Sequence, residues 1–181
     1  MIETFRMQQL LRETITTPYR CMVTRPTGAA IRGRIESTLS TTPSCITALL
    51  DFGDIELIDF SCADEVVAKL LLRVATEDEH YVVLSGITDS HLDAIDHVLE
   101  RHGLSVAALT DGEAAPRVLG VATPDAVTAF QTIQRLGAGD ANRLADALTW
   151  TVERAADALQ SLALRRLIQA AGGTYRPLSL S

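Results

Sequence analysis

Three short apolar runs, separated by segments with helical periodicity, constrain the fold of this chain more than any other feature of the sequence. The runs are residues 46–50, 81–84 and 106–109, and each has the length of a fully buried strand. After the first run, apolar residues recur at helical spacing at Val66, Val67, Leu70, Leu71 and Val74. Strands that alternate with helices in this way form a mainly parallel sheet with helices packed on it. The sequence therefore predicts a small α/β domain up to about residue 111.

The elements that precede the first run are predicted from weaker patterns. Residues 4–16 are predicted as a helix, residues 20–24 as a short strand and residues 26–39 as a second helix that begins at Pro26. The segment 110–116 is small and polar and ends in Pro116, so we predict a linker there.

Beyond this linker the pattern changes to consecutive helices. Helices are predicted over residues 124–137, 140–148 and 152–168, and Gly172-Gly173 predicts a β hairpin after them. Three helices followed by a hairpin resemble a winged helix-turn-helix. We therefore expect two domains, an α/β domain over residues 1–115 and a winged-helix-like domain over residues 116–181.

Composition and cysteine spacing indicate the cellular compartment of the protein. Hydrophobic residues make up 47% of the 181 residues, which is enough for a core, and no apolar run approaches the ~20 residues that cross a bilayer. The first residues lack the apolar block of a signal peptide. Cys21, Cys45 and Cys62 have no Cys-x-x-Cys spacing, as expected of reduced thiols. We expect a cytoplasmic protein without membrane contact.

The net charge of −7 is concentrated in the middle of the chain. Residues 41–119 carry four basic and fifteen acidic residues, whereas both flanking regions are slightly basic. Such an acidic region argues against nucleic-acid binding there, because phosphate contacts need Arg and Lys. It would suit a basic protein partner, or the acids simply keep exposed helix faces soluble.

The segment from Leu50 to Glu65 carries the most specific motif of the chain. Leu50-Asp51-Phe52 and Ser61-Cys62-Ala63-Asp64-Glu65 flank a loop between the first apolar run and a helix. They are similar to a branch of the STAS-like domains that reads Leu-Asp-Phe and Ser-Phe-Ala-Asp-Glu at matching places. STAS domains are named after sulfate transporters and anti-sigma factor antagonists. The resemblance implies a STAS-like fold for residues 1–115 and a non-enzymatic regulator that needs no cofactor and binds a kinase-like or anti-sigma-like ATPase domain.

The resemblance also implies a partner-binding loop. It consists of Asp59, Phe60, Ser61, Cys62 and Asp64. In the antagonists, the first Ser after the loop Asp is phosphorylated and the added charge breaks the complex. Here Phe60 occupies that position and the neighbouring hydroxyl is Ser61.

Ser61 has three interpretations: a cap of the following helix, a phosphorylation site, or part of the partner surface without phosphorylation. Because Phe60 occupies the acceptor position, we expect Ser61 to stay mostly unmodified. We also expect Asp59→Arg to abolish partner binding with little loss of melting temperature, since loop residues at strand ends are surface features.

A second candidate site lies at the start of the helix predicted from Pro26. Arg25, Thr27, Gly28 and Arg32 would place guanidinium and backbone N–H groups at a helix N-terminus, which suits an anion or a nucleotide. A phosphate loop is excluded, because Arg34-Ile35 stands where Lys-Ser or Lys-Thr is needed. The alternative is a solvated basic helix face.

A third candidate site is the recognition segment of the C-terminal region. Arg154 and Gln160 are predicted to face outward, and Arg165 and Arg176 are candidates for contacts with a DNA backbone. Arg154 has two acids beside it, which is a poor arrangement for phosphate binding. Two interpretations stay open: a DNA-binding module whose specific binding requires a homodimer, or a winged helix that contacts protein.

Patterns for metal binding and catalysis are weak. His91 and His97 are six positions apart on a helix and fall on different faces, and no catalytic motif is present. Cys62 beside Asp59 is either a reactive thiol or a packed one. We therefore expect no metal site and no enzymatic activity.

The leading hypothesis for the function is a partner-switching regulator. The first alternative is a DNA-binding regulator whose STAS-like domain senses a ligand or partner. The second is a nucleotide- or anion-binding protein.

Overall fold

The computed structural model describes residues 1–42, 45–77 and 80–180. In chain order the elements are β1 (Ile2–Arg6), α1 (Met7–Thr14), β2 (Cys21–Met22), α2 (Arg25–Thr41), β3 (Thr47–Asp51), β4 (Leu57–Ile58), α3 (Phe60–Ala63), a π-helical segment (Asp64–Lys69), α4 (Leu70–Glu77), β5 (Tyr81–Ile87), α5 (Asp89–His102), β6 (Ser105–Thr110), β7 (Arg117–Gly120), α6 (Pro124–Leu136), α7 (Ala141–Leu148), α8 (Val152–Leu164), β8 (Ile168–Ala171) and β9 (Thr174–Pro177).

A five-stranded sheet with the order β1-β3-β5-β6-β7 lies at the centre. The first four strands are parallel, and β7 pairs with β6 in the antiparallel direction. The protein is therefore a mixed α/β protein with a mainly parallel sheet, which confirms the fold class predicted from the three apolar runs.

Both faces of the sheet are covered. Because successive strand residues point to opposite faces, Leu50, Leu84 and Ala108 pack into one hydrophobic cluster with the helices α2, α4 and α5. Val83 and Ala107 point the other way and belong to a second cluster that contains Phe130, Ile133 and Leu159 of the C-terminal helices. The C-terminal region thus supplies the second layer on the sheet.

The N-terminal prediction is partly wrong. Residues 2–6 form β1, which pairs with β3 along its length, and the helix begins only at Met7. Only Phe5 of β1 is buried, as in an edge strand with one covered face. The i, i+3, i+4 spacing of Met7, Leu10 and Leu11 gives a real helical face, but this pattern begins only at Met7, and the prediction extended the helix into the strand before it.

Two predicted boundaries in the second half also change. The segment predicted as a linker connects the antiparallel strands β6 and β7, so residues 117–120 lie in the central sheet. The third C-terminal helix ends at Leu164 rather than at residue 168, because Arg166 adopts a left-handed conformation with φ 56° and Ile168 begins β8. Three helices followed by a β hairpin are present in the predicted order.

Candidate functional site

A short parallel pair of strands brings two of the predicted sites together. Met22 pairs with Ile58 in β2 and β4, and both side chains are buried. The backbone N–H of Asp59 extends this ladder by donating to the carbonyl of Met22 at 3.0 Å. Because β2 leads into α2 and β4 leads into α3, the two helix N-termini lie side by side. We call this region the β2–β4 site.

The carboxylate of Asp59 connects the two helix starts. Its Oδ1 accepts a hydrogen bond from the backbone N–H of Cys62 at 2.7 Å, which caps α3. Its Oδ2 accepts from the backbone N–H of Thr24 at 3.0 Å, just before α2. Thr24 has a φ of 71°, which is rare for a β-branched residue. Asp59 therefore holds the loop in front of α2 as well as the start of α3.

Ser61 is not the cap of the helix. It lies within the first turn of α3, and Asp59 holds the capping position instead. The interpretation of Ser61 as the cap is wrong, because Asp59, two residues earlier, holds the capping position and accepts the hydrogen bond from the backbone N–H of Cys62. The side chain of Ser61 is half-buried, and its hydroxyl makes no hydrogen bond within the described parts of the chain.

The two arginines of the predicted anion site are paired with carboxylates of the chain itself. Arg25 donates from Nη1 to Asp64 Oδ2 at 2.7 Å and to Glu65 Oε1 at 2.8 Å. Arg32 donates from Nη2 to Glu65 Oε2 at 3.0 Å, and the side chain of Glu65 is only 3% exposed. Lys69 also forms an ion pair with Glu65. An incoming anion would have to compete with these carboxylates.

Thr27 and Gly28 serve the packing of α2 against the segment that follows Asp59. A Cβ atom on Gly28 would lie 3.0 Å from the Cα of Cys62 and 3.0 Å from the Cβ of Glu65. Thr27 is buried, and its hydroxyl lies 3.1 Å from that of Thr24. The small residue at Gly28 therefore permits the close contact that brings Arg25 to its carboxylate partners.

The partner carboxylates lie at the start of the π-helical segment. Asp64 Oδ1 also contacts Nε2 of His102 at 2.7 Å, which connects this segment to the end of α5. Burial by itself would raise the pKa of Glu65, but the hydrogen bonds from Lys69, Arg25 and Arg32 lower it overall. Burial likewise opposes the hydrogen bonds from Arg25 and His102 at Asp64, and the net effect is a lowered pKa. Both residues are therefore carboxylates at neutral pH.

Cys62 is a packed thiol. Its side chain is fully buried, and burial, followed by the charges of Asp59 and Glu65, raises the pKa of the thiol to about 12. A thiol nucleophile needs a lowered pKa and access to solvent. Of the two interpretations of Cys62, the structure favours packing.

Three apolar side chains of the β2–β4 site remain exposed. Val23, Leu57 and Phe60 are 38%, 41% and 49% exposed, respectively. The alternation along β2 and β4 turns Met22 and Ile58 inward, and it leaves their neighbours Val23 and Leu57 outward. The ring of Phe60 packs against that of His97, with 4.8 Å between the ring centroids. We call Val23, Leu57 and Phe60 the Phe60 patch.

The candidate DNA-contacting residues are dispersed over the C-terminal region. Arg154 forms two hydrogen bonds to Asp125, at 2.8 and 2.7 Å, and its guanidinium group lies 4.1 Å from the ring centroid of Trp150. Arg165 donates to the carbonyl of Gly103 at 3.1 Å. Gln160 and Arg176 are exposed. The charge of Arg154 is thus compensated on the outward face of α8, which leaves less positive charge there for phosphate.

The candidate metal ligand His91 is a core residue. The backbone N–H of Thr88 donates to its Nδ1 at 3.1 Å, so Nε2 carries the proton and donates to the carbonyl of Ile55 at 2.7 Å. Within residues 1–42, 45–77 and 80–180, no three His, Cys, Asp or Glu side chains are grouped closely enough to hold a metal ion. Over the same described ranges, no helix combines the length and the apolar character needed to cross a membrane.

Comparisons with other proteins found no relative for this chain. No protein-family profile matches the sequence. No curated protein and no solved structure matches it either. What the fold and the site define is a class: an α/β protein with an exposed apolar patch beside an internally paired, charged helix start.

Acid is expected to destabilise the fold in two steps. Burial lowers the pKa of His91 against the opposing hydrogen bond to Ile55, so the unfolded imidazole binds its proton at a higher pH than the folded one. The contribution of His91 to the free energy of unfolding should therefore be fully present above pH ~6.5. It should be lost as the pH falls from there through the pKa of His91 in the folded protein. Asp64 and Glu65, with lowered folded pKa values, should add a second loss below pH ~4.5.

Urea unfolding measured from pH 8 to pH 3.5 checks both steps. His97 is exposed, so His97→Gln should retain the first step, whereas His91→Gln should remove that pH dependence along with part of the stability. A free energy of unfolding that does not change between pH 7.5 and 5 would contradict the role given to His91.

Proposed function

We propose that this chain is a non-enzymatic regulatory protein that binds a protein partner through the Phe60 patch. The exposure of Val23, Leu57 and Phe60, which lie on or next to the paired strands β2 and β4, carries the proposal. A STAS-like partner switch is the function that agrees best with the motif at residues 50–65 and with this surface.

The construction of the β2–β4 site supports a binding role. Exposed aromatic side chains on a rigid support are the usual centres of binding energy in protein interfaces. Asp59 fixes the loop by hydrogen bonds to Thr24 and Cys62, and Phe60 is further held against His97. A loop fixed in this way loses little conformational entropy when a partner binds.

The charges at the β2–β4 site suit a protein partner better than a free anion or nucleotide. The guanidinium groups of Arg25 and Arg32 are bound to Asp64 and Glu65. The segment 41–119, which contributes Asp64 and Glu65 to the site, carries an excess of acids, which complements a basic rim on a partner. The partner class that the resemblance implies is a kinase-like or anti-sigma-like ATPase domain.

In this proposal the C-terminal helices and hairpin are a winged helix that transmits the signal through protein contacts. The pairing of Arg154 with Asp125 supports protein contact over DNA contact. Switching in this protein does not depend on phosphorylation of Ser61, because Phe60 occupies the acceptor position.

Phe60→Ala is expected to weaken partner binding by about 30-fold or more, since truncation of a central aromatic residue in an interface costs about 2 kcal/mol or more. The measurement is isothermal titration calorimetry with an ATPase-domain kinase or an anti-sigma factor encoded next to this protein. Leu57→Ala should give a smaller loss in the same direction.

Leu72→Ala is the matched control, because Leu72 on α4 is 41% exposed, the same fraction as Leu57. It should bind as the unmodified protein does. Equal affinities for Phe60→Ala and Leu72→Ala would place the interface elsewhere on the molecule. If neither neighbouring protein binds the unmodified chain, the proposed partner class is wrong.

A further inference from the structure

A cavity of about 140 Å³ lies between α4, the strands β5 and β6, and the turn that connects α8 to β8. Its walls are aliphatic and include Leu71, Val74, Val82, Val106 and Leu167. Because it touches both the parallel strands and the end of α8, an occupant would contact the α/β region and the C-terminal region at once.

The opening of the cavity is marked by its exposed lining residues. Ala75 on α4 is exposed, and Leu164 at the end of α8 is 77% exposed. Arg165 and Arg166 follow Leu164 and also line the cavity. The lining is therefore apolar inside and cationic at the rim.

The two arginines are held in place by backbone carbonyl groups. Arg165 Nη1 donates to the carbonyl of Gly103 at 3.1 Å, and Arg166 Nη1 donates to the carbonyl of His80 at 2.8 Å. Neither guanidinium group forms an ion pair with a carboxylate of the described residues. A guanidinium group has five N–H donors, so each retains free donors next to the cavity.

The backbone at Arg166 gives a second, independent indication. The N–H of Leu167 bonds to the carbonyl of Leu162, which ends α8 in the manner that normally places glycine in the left-handed position. Arg166 holds that position with a φ of 56°. A long cationic side chain therefore stands at the rim in a conformation that disfavours any residue with a side chain.

We propose that this cavity binds a small carboxylate with one ring or a short aliphatic tail. The tail lies between the aliphatic walls, and the carboxylate accepts hydrogen bonds from Arg165 and Arg166. The volume fits this class, because apolar cavities of about 150 Å³ hold a benzene molecule. The guanidinium groups, which form no ion pair among the described residues, favour an anionic head over a neutral one.

Titration of ¹⁵N-labelled protein with benzoate and with hexanoate, followed by NMR, tests the proposal. Saturable shifts are expected for the amides of Ser105 and Leu167 and their neighbours. Benzyl alcohol and hexanol should bind at least about tenfold more weakly, because they lack the charge that the arginines bind.

Three variants test the arginine rim and the opening of the cavity separately. Arg166→Gly suits the left-handed backbone and should keep the fold while weakening benzoate binding by about tenfold, as should Arg165→Gln. Ala75→Leu should block the opening. The matched controls are Arg176→Gln and Ala30→Leu, which change an exposed arginine and an exposed helical alanine away from the cavity.

Shifts that do not saturate, equal binding of the uncharged compounds, or unchanged affinity in both arginine variants would overturn the proposal. Unchanged binding in Ala75→Leu would also overturn it. No protein partner enters this experiment, so its outcome is independent of the function proposed for the Phe60 patch.

Discussion

Gly86→Ala is expected to lower the free energy of unfolding by about 3 to 5 kcal/mol. A Cβ atom at this position would lie 2.4 Å from the backbone N and 2.6 Å from the Cα of Gly53. Neither atom can yield as a flexible side chain would. Gly86 also has a φ of 65°, which alanine disfavours. The end of β5 would be pushed away from the loop after β3, and this loop leads directly to β4 and Asp59.

Gly33→Ala is the matched control for this variant. Gly33 lies inside α2, nothing lies within 4 Å of its would-be Cβ, and its φ is not positive. Alanine at this helical position should raise the stability by about 0.5 to 1 kcal/mol. Urea unfolding of both variants provides the comparison. Similar stabilities for Gly86→Ala and Gly33→Ala would show that the contact between Gly86 and Gly53 is not close in solution.

Asp59→Ala is expected to cost about 2 to 3 kcal/mol of stability. It removes the cap of α3, for which about 1 kcal/mol is typical, and it leaves the N–H of Thr24 without its acceptor. Asp59→Asn keeps one oxygen acceptor and should lose less. The exposed Asp54 in the preceding loop is the control, and Asp54→Ala should change the stability by less than about 0.5 kcal/mol.

This expectation changes the interpretation of Asp59→Arg. The sequence alone predicts a surface substitution that removes binding with little loss of melting temperature. In the structure both carboxylate oxygens hold backbone N–H groups, so the variant should melt at a clearly lower temperature. Loss of partner binding in Asp59→Arg would therefore not locate the interface, whereas Phe60→Ala can do so. An unchanged melting temperature for Asp59→Arg would contradict the role of Asp59 as a connection between α2 and α3.

The sequence predicts the elements that are buried on both sides and misses those at the margins. The strands β3, β5 and β6 are apolar on both faces because both faces are covered, so their runs stand out. The edge strand β1 has one buried side chain and the pattern of a polar segment. The four-residue strand β7 follows a turn that looks like a linker, since a turn between antiparallel strands has the same composition.

The candidate site could be predicted only in separate parts. The sequence predicts the partner loop and the anion-site arginines as two separate regions, because the contact between Arg25 and Asp64 spans 39 positions. This contact depends on the pairing of β2 with β4. Residues 20–24 are predicted as a strand, but nothing in two strands of two residues each shows that they pair with one another. The capping role of Asp59, two residues before Ser61, required the backbone conformation of the loop.

The covering of the sheet on two faces has a consequence for how the chain is made. All four parallel strands have been synthesised once residue 110 is added, and the helices of the first cluster lie between them in the sequence. Most of the layer over Val83 and Ala107 comes from residues after 124, so that face of the sheet stays largely uncovered until those residues have been synthesised. Bare apolar strands are prone to aggregation at this stage, and the speed of synthesis through the last third of the chain should therefore influence the yield of folded protein.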